Sequence, residues 1–445
     1  MAKVLIIPGV SVSVVKDVVP QQLAPSGVLG LVGFTGAGEG TQRTASWNGL
    51  RELYGEVVAL SLPEARQALD NGVSELVIVS LPEKEEYQAK ASLANRDGDK
   101  PAILVRARAG GLWSNGLDII VKDSKDPEHV DLEVRRRDGD ELLEQLRNVD
   151  AVGFKGAVNG MALVYLEGEH DGLPVAGKYP LSGGKDAKPT DYADALNNLT
   201  EESDVDLVLA AVQDFSVHAD VVSIYSSVVS HCNNLSGEAK GRIGLGQVGP
   251  QWGVDEDKAA VDSLVSDRFV MVAPHGVLGA VAGRIGSLDY FISPTFKAIG
   301  SAGPLKRLKT QDQKDLLKAN ILPVATERGR GTILIRGLTT DGDQISVRRV
   351  ADRSVRTLKM IGDLFIGRLN NSDGRGALKQ KLIEALLQME RDGAIIPSTD
   401  GTDPAFKVDV YSTQADFAKG IVRVDMAVRP IRAIDYIYAT VLVQV

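Results

Sequence analysis

The spacing of apolar and polar positions changes several times along this chain, and the changes divide it. After Val4-Leu5-Ile6-Ile7-Pro8-Gly9, the residues Val10, Val12 and Val14 alternate with Ser11 and Ser13, the two-residue repeat of a strand with no hairpin partner close by. A Pro/Gln/Ser-rich link at 20–26 leads into the apolar run 28–32, a buried strand. Helical spacing follows at 47–54 and 65–71, and ELVIVSL at 75–81 is another strand. Strands interleaved with helices in this way predict an α/β layer.

From 101 to 181 the layer pattern stops. Short β-type runs (AILVRAR, LDIIVKD, DLEVRRR, ALVYLEG) alternate with Gly and Asn-Gly turns, which predicts an inserted small β domain. The layer then resumes with a helix from Tyr192, a strand at 205–211, a helix at 216–232, a strand at 242–246, a helix at 255–265 and a strand at 269–273. Beyond Gly303 come a helical stretch (QDQKDLLKAN), a strand pair around 332–335 and 344–347, and two amphipathic helices. In the second helix Leu378, Leu382, Ile383, Leu386 and Met389 share a face, with Ser372 or Asp373 as cap and Gly393 as stop. Its other face carries Lys379, Lys381, Glu384, Gln388 and Arg391. Val422, Val424, Met426 and Val428 alternate with polar residues, and a strand at 436–445 follows Arg429-Pro430.

The expected fold class is therefore α/β multidomain: an N-terminal arm (1–22), a discontinuous α/β layered domain (23–100 and 182–300), an inserted small β domain (101–181), an α+β C-terminal domain (301–430) and a C-terminal strand arm (431–445). A chain of 445 residues exceeds what one core supports, in keeping with several domains. No run of about 20 apolar residues offers a membrane span, residues 1–15 lack the pattern of a secretion signal, and one cysteine makes no internal disulfide.

Charge adds one feature. Residues 301–392 hold 18 Lys+Arg against 11 Asp+Glu, a net of +7, whereas the whole chain is at −9 and the remainder therefore at −16. The overall sign argues against nucleic-acid binding, and the basic segment favours an acidic partner.

Candidate chemistry is sparse. Residues 244–249 (GLGQVG) match the dinucleotide fingerprint after a strand, but Pro250 and Trp252-Gly253 stand where the phosphate-binding helix should start. In GFTGAGEG (33–40), Glu39 occupies the place where a phosphate loop needs Lys. His218 and Cys232 are about four helical turns apart, too far to share a metal, His129 and His275 are isolated, and His170 lies in an acidic turn. Ser182-Gly183-Gly184 lacks the context of a hydrolase elbow. No cofactor, metal or catalytic group is expected.

The two ends carry more weight. A terminal strand with no neighbour leaves N–H and C=O groups that pair inside the chain or with another chain, and periodicity does not separate the two. Pro8-Gly9 and Arg429-Pro430 stand where arms would leave the body.

Read together, these motifs resemble the contractile tail sheath proteins of phages, R-type bacteriocins and extracellular injection systems. The resemblance covers nearly the whole chain: Pro8-Gly9-Val10, VGFTGAGEG with SWNGLRELYG, ARAGGLWSNGLDIIV, LSGGKDAKPTDYADAL, AGRIGSLDYFISP, LLKANILPV, ISVRRV, MERDGAII and VRPIRAIDYIYATVLV occur in the family's order. Two places depart from it, with Ile7 where Tyr is common and Leu338-Thr339-Thr340 where an Arg-Thr pair is common. The resemblance implies a structural subunit, not an enzyme, that polymerises as stacked rings around an inner tail tube protein. It also implies contacts to baseplate and terminator or cap proteins, in a virion tail or extracellular particle assembled in a bacterial cytoplasm, without nucleic acid or membrane insertion. Its inter-subunit arms would use Pro8, Gly9, Val10, Val12, Val14, Arg429, Pro430, Ile437, Val441 and Val443. The C-terminal domain would face the tube, with Lys379, Lys381, Arg391, Arg348 and Arg349 as candidates. A nucleotide-dependent α/β enzyme with an oligomerisation domain, and a monomeric adhesion module, are the competing readings.

Overall fold

Strands that are apolar on both faces need cover on both sides, and six of them line up at the centre of this protein. The computed structural model describes residues 27–37, 40–168, 171–300 and 305–439. Pro8, Gly9, Val10, Val12 and Val14 of the expected N-terminal arm lie outside the described residues, as do His170, Val441 and Val443. The central sheet runs in the order Thr41–Thr44, Glu75–Ser80, Val28–Gly33, Leu207–Ala210, Ile243–Gln247, Phe269–Ala273, Ile321–Glu327 and Gly331–Leu334. The six inner strands are parallel and the two outermost antiparallel.

Alternate residues point to opposite layers. Val28, Val32, Val77, Val79, Val208 and Met271 meet the helices Pro189–Asn198, His218–Ser236 and Val254–Asp262. Leu29, Leu31, Leu76, Ile78, Leu209 and Val272 meet Trp47–Tyr54, Pro63–Asp70 and Leu278–Ser287. The last two helices touch backbone to backbone. A Cβ on Gly279 would stand 2.3 Å from the Glu64 carbonyl oxygen, and one on Gly283 2.3 Å from that of Ala68. The AGRIG motif is thus a packing device.

The inserted unit consists of a four-stranded sheet (Gly177–Pro180, Leu117–Asp123, His129–Arg136, Leu142–Asp150) and a three-stranded one (Lys90–Leu93, Ile103–Ala107, Val164–Leu166). They share a core around Ile103, Val105, Ile119, Leu132, Val134 and Phe154. Because Lys90–Leu93 pairs with Ile103–Ala107, this unit starts ahead of the boundary expected at 101.

The C-terminal region also differs from expectation. The strand expected at 332–335 pairs with Ile321–Glu327 and belongs to the edge of the central sheet. Residues 344–347 are not its partner but the start of the helix Ile345–Asp363, in which Ile345 joins the core of the central sheet and Val350 that of the C-terminal unit. The next helix, Ser372–Arg391, is capped by Asn371, whose side chain accepts from the Gly374 N–H, and not by Ser372 or Asp373, which already lie in the first turn. A two-stranded antiparallel sheet, Phe406–Tyr411 with Arg423–Val428, covers this helix. Residues 436–439 are irregular rather than the start of a strand.

Adding one methyl group at Gly279 or Gly283 should destabilise the fold by about 3 kcal/mol or more, because backbone cannot yield as a side chain does. Gly376→Ala, at an exposed helical position with open space around it, should instead stabilise by about 0.5–1 kcal/mol. Urea denaturation of the three variants tests both signs.

Candidate functional site

In an open α/β sheet the crevice for ligands lies at the carboxyl ends of the strands, where strand order reverses. Here that point is between Val28–Gly33 and Leu207–Ala210, and the chain itself fills it. The Asp186 carboxylate accepts the N–H groups of Gln213 (2.6 Å) and Asp214 (2.9 Å) and the Tyr192 hydroxyl (2.8 Å). The Glu83 carboxylate accepts N–H groups of Gly36 (2.9 Å) and Gly110 (2.6 Å). Gln213 Oε1 accepts from the Trp113 N–H at 3.2 Å, while its Nε2 donates to the Ser61 carbonyl at 3.0 Å. GFTGAGEG and LSGGKD thus meet in a joint that fastens the β unit to the central sheet.

The fingerprint-like glycines serve packing. A Cβ on Gly244 would stand 2.5 Å from Val228, one on Gly246 2.8 Å from Phe269, and one on Gly249 2.7 Å from Trp252. The following helix opens with Asp255, Glu256 and Asp257, charges that repel phosphate. Burial pushes the Cys232 thiol up to about 12, and burial together with Arg242 pushes His231 down to about 4.

Arginines fasten the C-terminal unit to the sheet. Arg349 is 6% exposed, and its Nη1 donates to the carbonyls of Ile285 (2.8 Å) and Leu288 (3.1 Å). Arg356 donates to the carbonyls of Val205 (2.6 Å) and Gly241 (2.7 Å). Arg348 pairs with Asp267 (2.7 Å) and Asp352 (3.0 Å), and Asp352 also receives a bidentate pair from buried Arg268 at 2.7 and 2.9 Å. Arg348 and Arg349 are therefore withdrawn from the set of tube-facing candidates. Arg349 turns inward onto main-chain carbonyls, and Arg348 is held by Asp352 on its own helix and by half-exposed Asp267. Lys379 and Lys381 stay at the surface in contact with Asp409 (3.1 Å) and Glu384 (3.3 Å), and Arg391 is exposed.

The hairpin is the exposed counterpart of these joints. Phe406, Val408 and Val410, with Val424, Met426 and Val428, face the helix residues Leu378, Leu382, Leu386 and Met389. Among the described residues neither outer edge of this two-stranded sheet carries a further strand.

Past the hairpin the chain does not leave the body at Arg429-Pro430. The Arg429 carbonyl accepts from Ile396 N–H and Ile431 N–H donates to the Ala394 carbonyl, both at 3.0 Å. Arg432 pairs with Asp343 at 2.6 Å, and Ala433 exchanges two bonds with the Gln344 side chain, at 2.8 and 3.0 Å. The mostly buried carboxylate of Asp435 accepts from Arg336 Nε and Gln344 Nε2, each at 3.0 Å. The Arg336 guanidinium also lies 5.6 Å from the Tyr436 ring centre. Ile437 and Tyr438 follow at 83% and 95% exposure. Sequence reading passed over Asp435, whose only signal was an acid inside an apolar run.

No protein-family model and no curated protein matches the chain. Solved structures do. The sheath tail protein of Desulfitobacterium hafniense is similar over 91% of this chain and 93% of its own, with 17% identity and a TM-score of 0.55. The sheath tail protein Lin1278 of Listeria innocua is similar over 92% and 93%, with 16% identity and a TM-score of 0.53. The anti-feeding prophage helical sheath in its contracted state is similar over 99% of both chains, with 14% identity and a TM-score of 0.57. The chain has the fold of tail-sheath proteins, contractile injection systems included.

Two outcomes follow from the internal joints. Burial raises Glu83 to about 7, so its stabilising share is complete below the unfolded value near 4.5 and is lost as pH rises through about 7. The melting temperature should therefore fall between about pH 4.5 and pH 7 and level off above that, and Glu83→Gln should flatten that slope. Arg349→Met should cost about 3 kcal/mol or more by leaving buried acceptors unpaired, whereas Arg391→Ala should stay within about 0.5 kcal/mol; denaturant midpoints measure both.

Proposed function

We propose that this chain is the repeating subunit of a contractile sheath, a helical polymer of stacked rings around an inner tube that shortens from a metastable extended state. The observation that carries the reading is the Phe406–Tyr411/Arg423–Val428 hairpin, which carries no further strand on either edge among the described residues and lies beside a helix-backed apolar face. Two unpaired edges can take two added strands, and the sequence supplies two alternating segments, 4–14 and 436–445. Added strands bring main-chain hydrogen bonds whose geometry does not depend on how the rest of two subunits is packed. Such a mesh stays connected while the rigid bodies repack. The fold likeness to sheath structures over almost the full chain supports the same reading.

In this assembly the surface cations Lys379, Lys381 and Arg391 would face an acidic tube, through contacts weak enough to release on contraction. Baseplate and terminator proteins would bind the first and last rings, and the particle would be a virion tail or an extracellular injection machine.

Negative-stain electron microscopy of the purified chain, beside versions lacking residues 1–15 or 436–445, tests the proposal. Hollow cylinders from the full chain and none from either truncation are expected. Cylinders that survive both truncations would retain the polymer and remove the arms, and monomers at every concentration would remove the polymer.

A further inference from the structure

We propose that the cavity between the Ile345–Asp363 helix and the amino ends of the central strands is a binding site for a small inorganic anion of halide size, held by Arg349, Arg353 and Arg356. The inference does not depend on the sheath reading. The cavity measures about 30 Å³, and Asp206, Tyr290, Arg349, Asp352, Arg353 and Arg356 are in its lining. Asp206 directly precedes the strand Leu207–Ala210, so the site lies at the opposite end of the sheet from the crevice that Asp186, Glu83 and Gln213 fill.

The charges around this cavity do not balance. Asp352 is matched on both oxygens, by Arg268 at 2.7 and 2.9 Å and by Arg348 at 3.0 Å. What remains is three guanidinium groups, those of Arg349, Arg353 and Arg356, against the single carboxylate of Asp206. The adjoining acids do not offset them, since Asp204 is bonded to Arg43 at 2.6 Å and Asp289 is exposed. Cations withdrawn from water in this way require a counter-charge.

Hydrogen bonding points to the same place. Arg349 is 6% exposed, and its Nη1 is engaged by the carbonyls of Ile285 and Leu288. Its Nη2 has no hydrogen-bond partner among the described residues and stands 3.9 Å from Asp206 Oδ2. Arg356 donates from Nη2 to the carbonyls of Val205 and Gly241 and leaves Nε without a partner. Asp206 accepts the Gly27 N–H on Oδ2 at 3.0 Å, and its buried Oδ1 lacks a donor. Arg353 supplies the third charge, with its guanidinium 5.5 Å from the Tyr290 ring centre.

A halide would accept from Arg349 Nη2 and Arg356 Nε through charge-assisted bonds. A volume of about 30 Å³ has room for roughly two water-sized occupants. One water therefore fits beside the anion, with one O–H toward it and the other toward Asp206 Oδ1. Phosphate and other tetrahedral oxyanions are too large. Water alone would serve the hydrogen bonds but leave the cationic surplus in place, and this favours the anion.

Thermal unfolding of the full chain in sodium gluconate, with chloride substituted for gluconate at constant ionic strength, reads the site. Gluconate is too large to enter, so the melting temperature should rise with chloride and saturate. Arg353→Gln removes one of the three charges and should raise the half-saturating chloride concentration at least about tenfold. Arg353→Lys keeps the charge and should restore saturation close to that of the wild type. In crystals of the wild-type chain grown in bromide, anomalous scattering should place the halide in the cavity, a reading that needs no variant to fold. A melting temperature indifferent to chloride, the same chloride response in wild type and Arg353→Gln, or a cavity that holds water alone in bromide would each overturn the site.

Discussion

Main-chain hydrogen bonding at the sheet edges is the constraint around which this molecule is organised. The central sheet meets it on one side, where residues 296–299 bond the outer edge of Gly331–Leu334, and ends on the other in the short strand Thr41–Thr44. The C-terminal hairpin does not. It has two strands, a helix behind them and no further strand among the described residues. A two-stranded sheet is marginal alone, and the apolar row of Val408, Val424 and Met426 is only half covered by the helix. In the proposed assembly, added strands would supply both missing edges and cover.

Rigid joints give such a hairpin something to pull on. Three bodies meet in this chain, and the joints between them are made of charged groups turned inward. Asp186 and Glu83 hold the β unit through backbone N–H groups, and Arg349 and Arg356 hold the C-terminal unit through backbone carbonyls. A side chain bonded to backbone cannot exchange partners as two surface side chains can. The basic surplus of residues 301–392 acquires a different meaning from this. Much of it neutralises internal acceptors and acids, and only part of it faces outward.

The α/β layer was legible from sequence because its strands are continuous apolar runs and its helices carry clear spacing; 47–54 and 269–273 coincide with elements of the fold. Misreadings fell where pattern does not encode partnership. Periodicity marks 331–334 as β without saying that 321–327 is its neighbour, and Ile345 with Val347 alternates as a strand does while opening a helix. Arg348 and Arg349 looked like surface charge because residue type alone does not show which face of a helix is buried. Asp435 was invisible for a related reason, since its partners Arg336 and Gln344 are about 90 to 100 positions away. The family resemblance, by contrast, was legible throughout, because it drew on the order of many weak motifs rather than on any one contact.

Those motifs now have physical causes. AGRIG allows two helix backbones to touch, GFTGAGEG and LSGGKD build the joint to the β unit, and the RAID segment places Arg432 and Asp435 on two pins of one connection. Residues that position backbone against backbone suit the proposed sheath subunit, whose work would be done by relative movement of whole bodies. In an enzyme of similar topology the same glycines would leave space at the strand ends for a substrate. Here that space holds Gln213, Asp186 and Glu83, and the exposed unsatisfied surface lies at the hairpin and the segment that follows it.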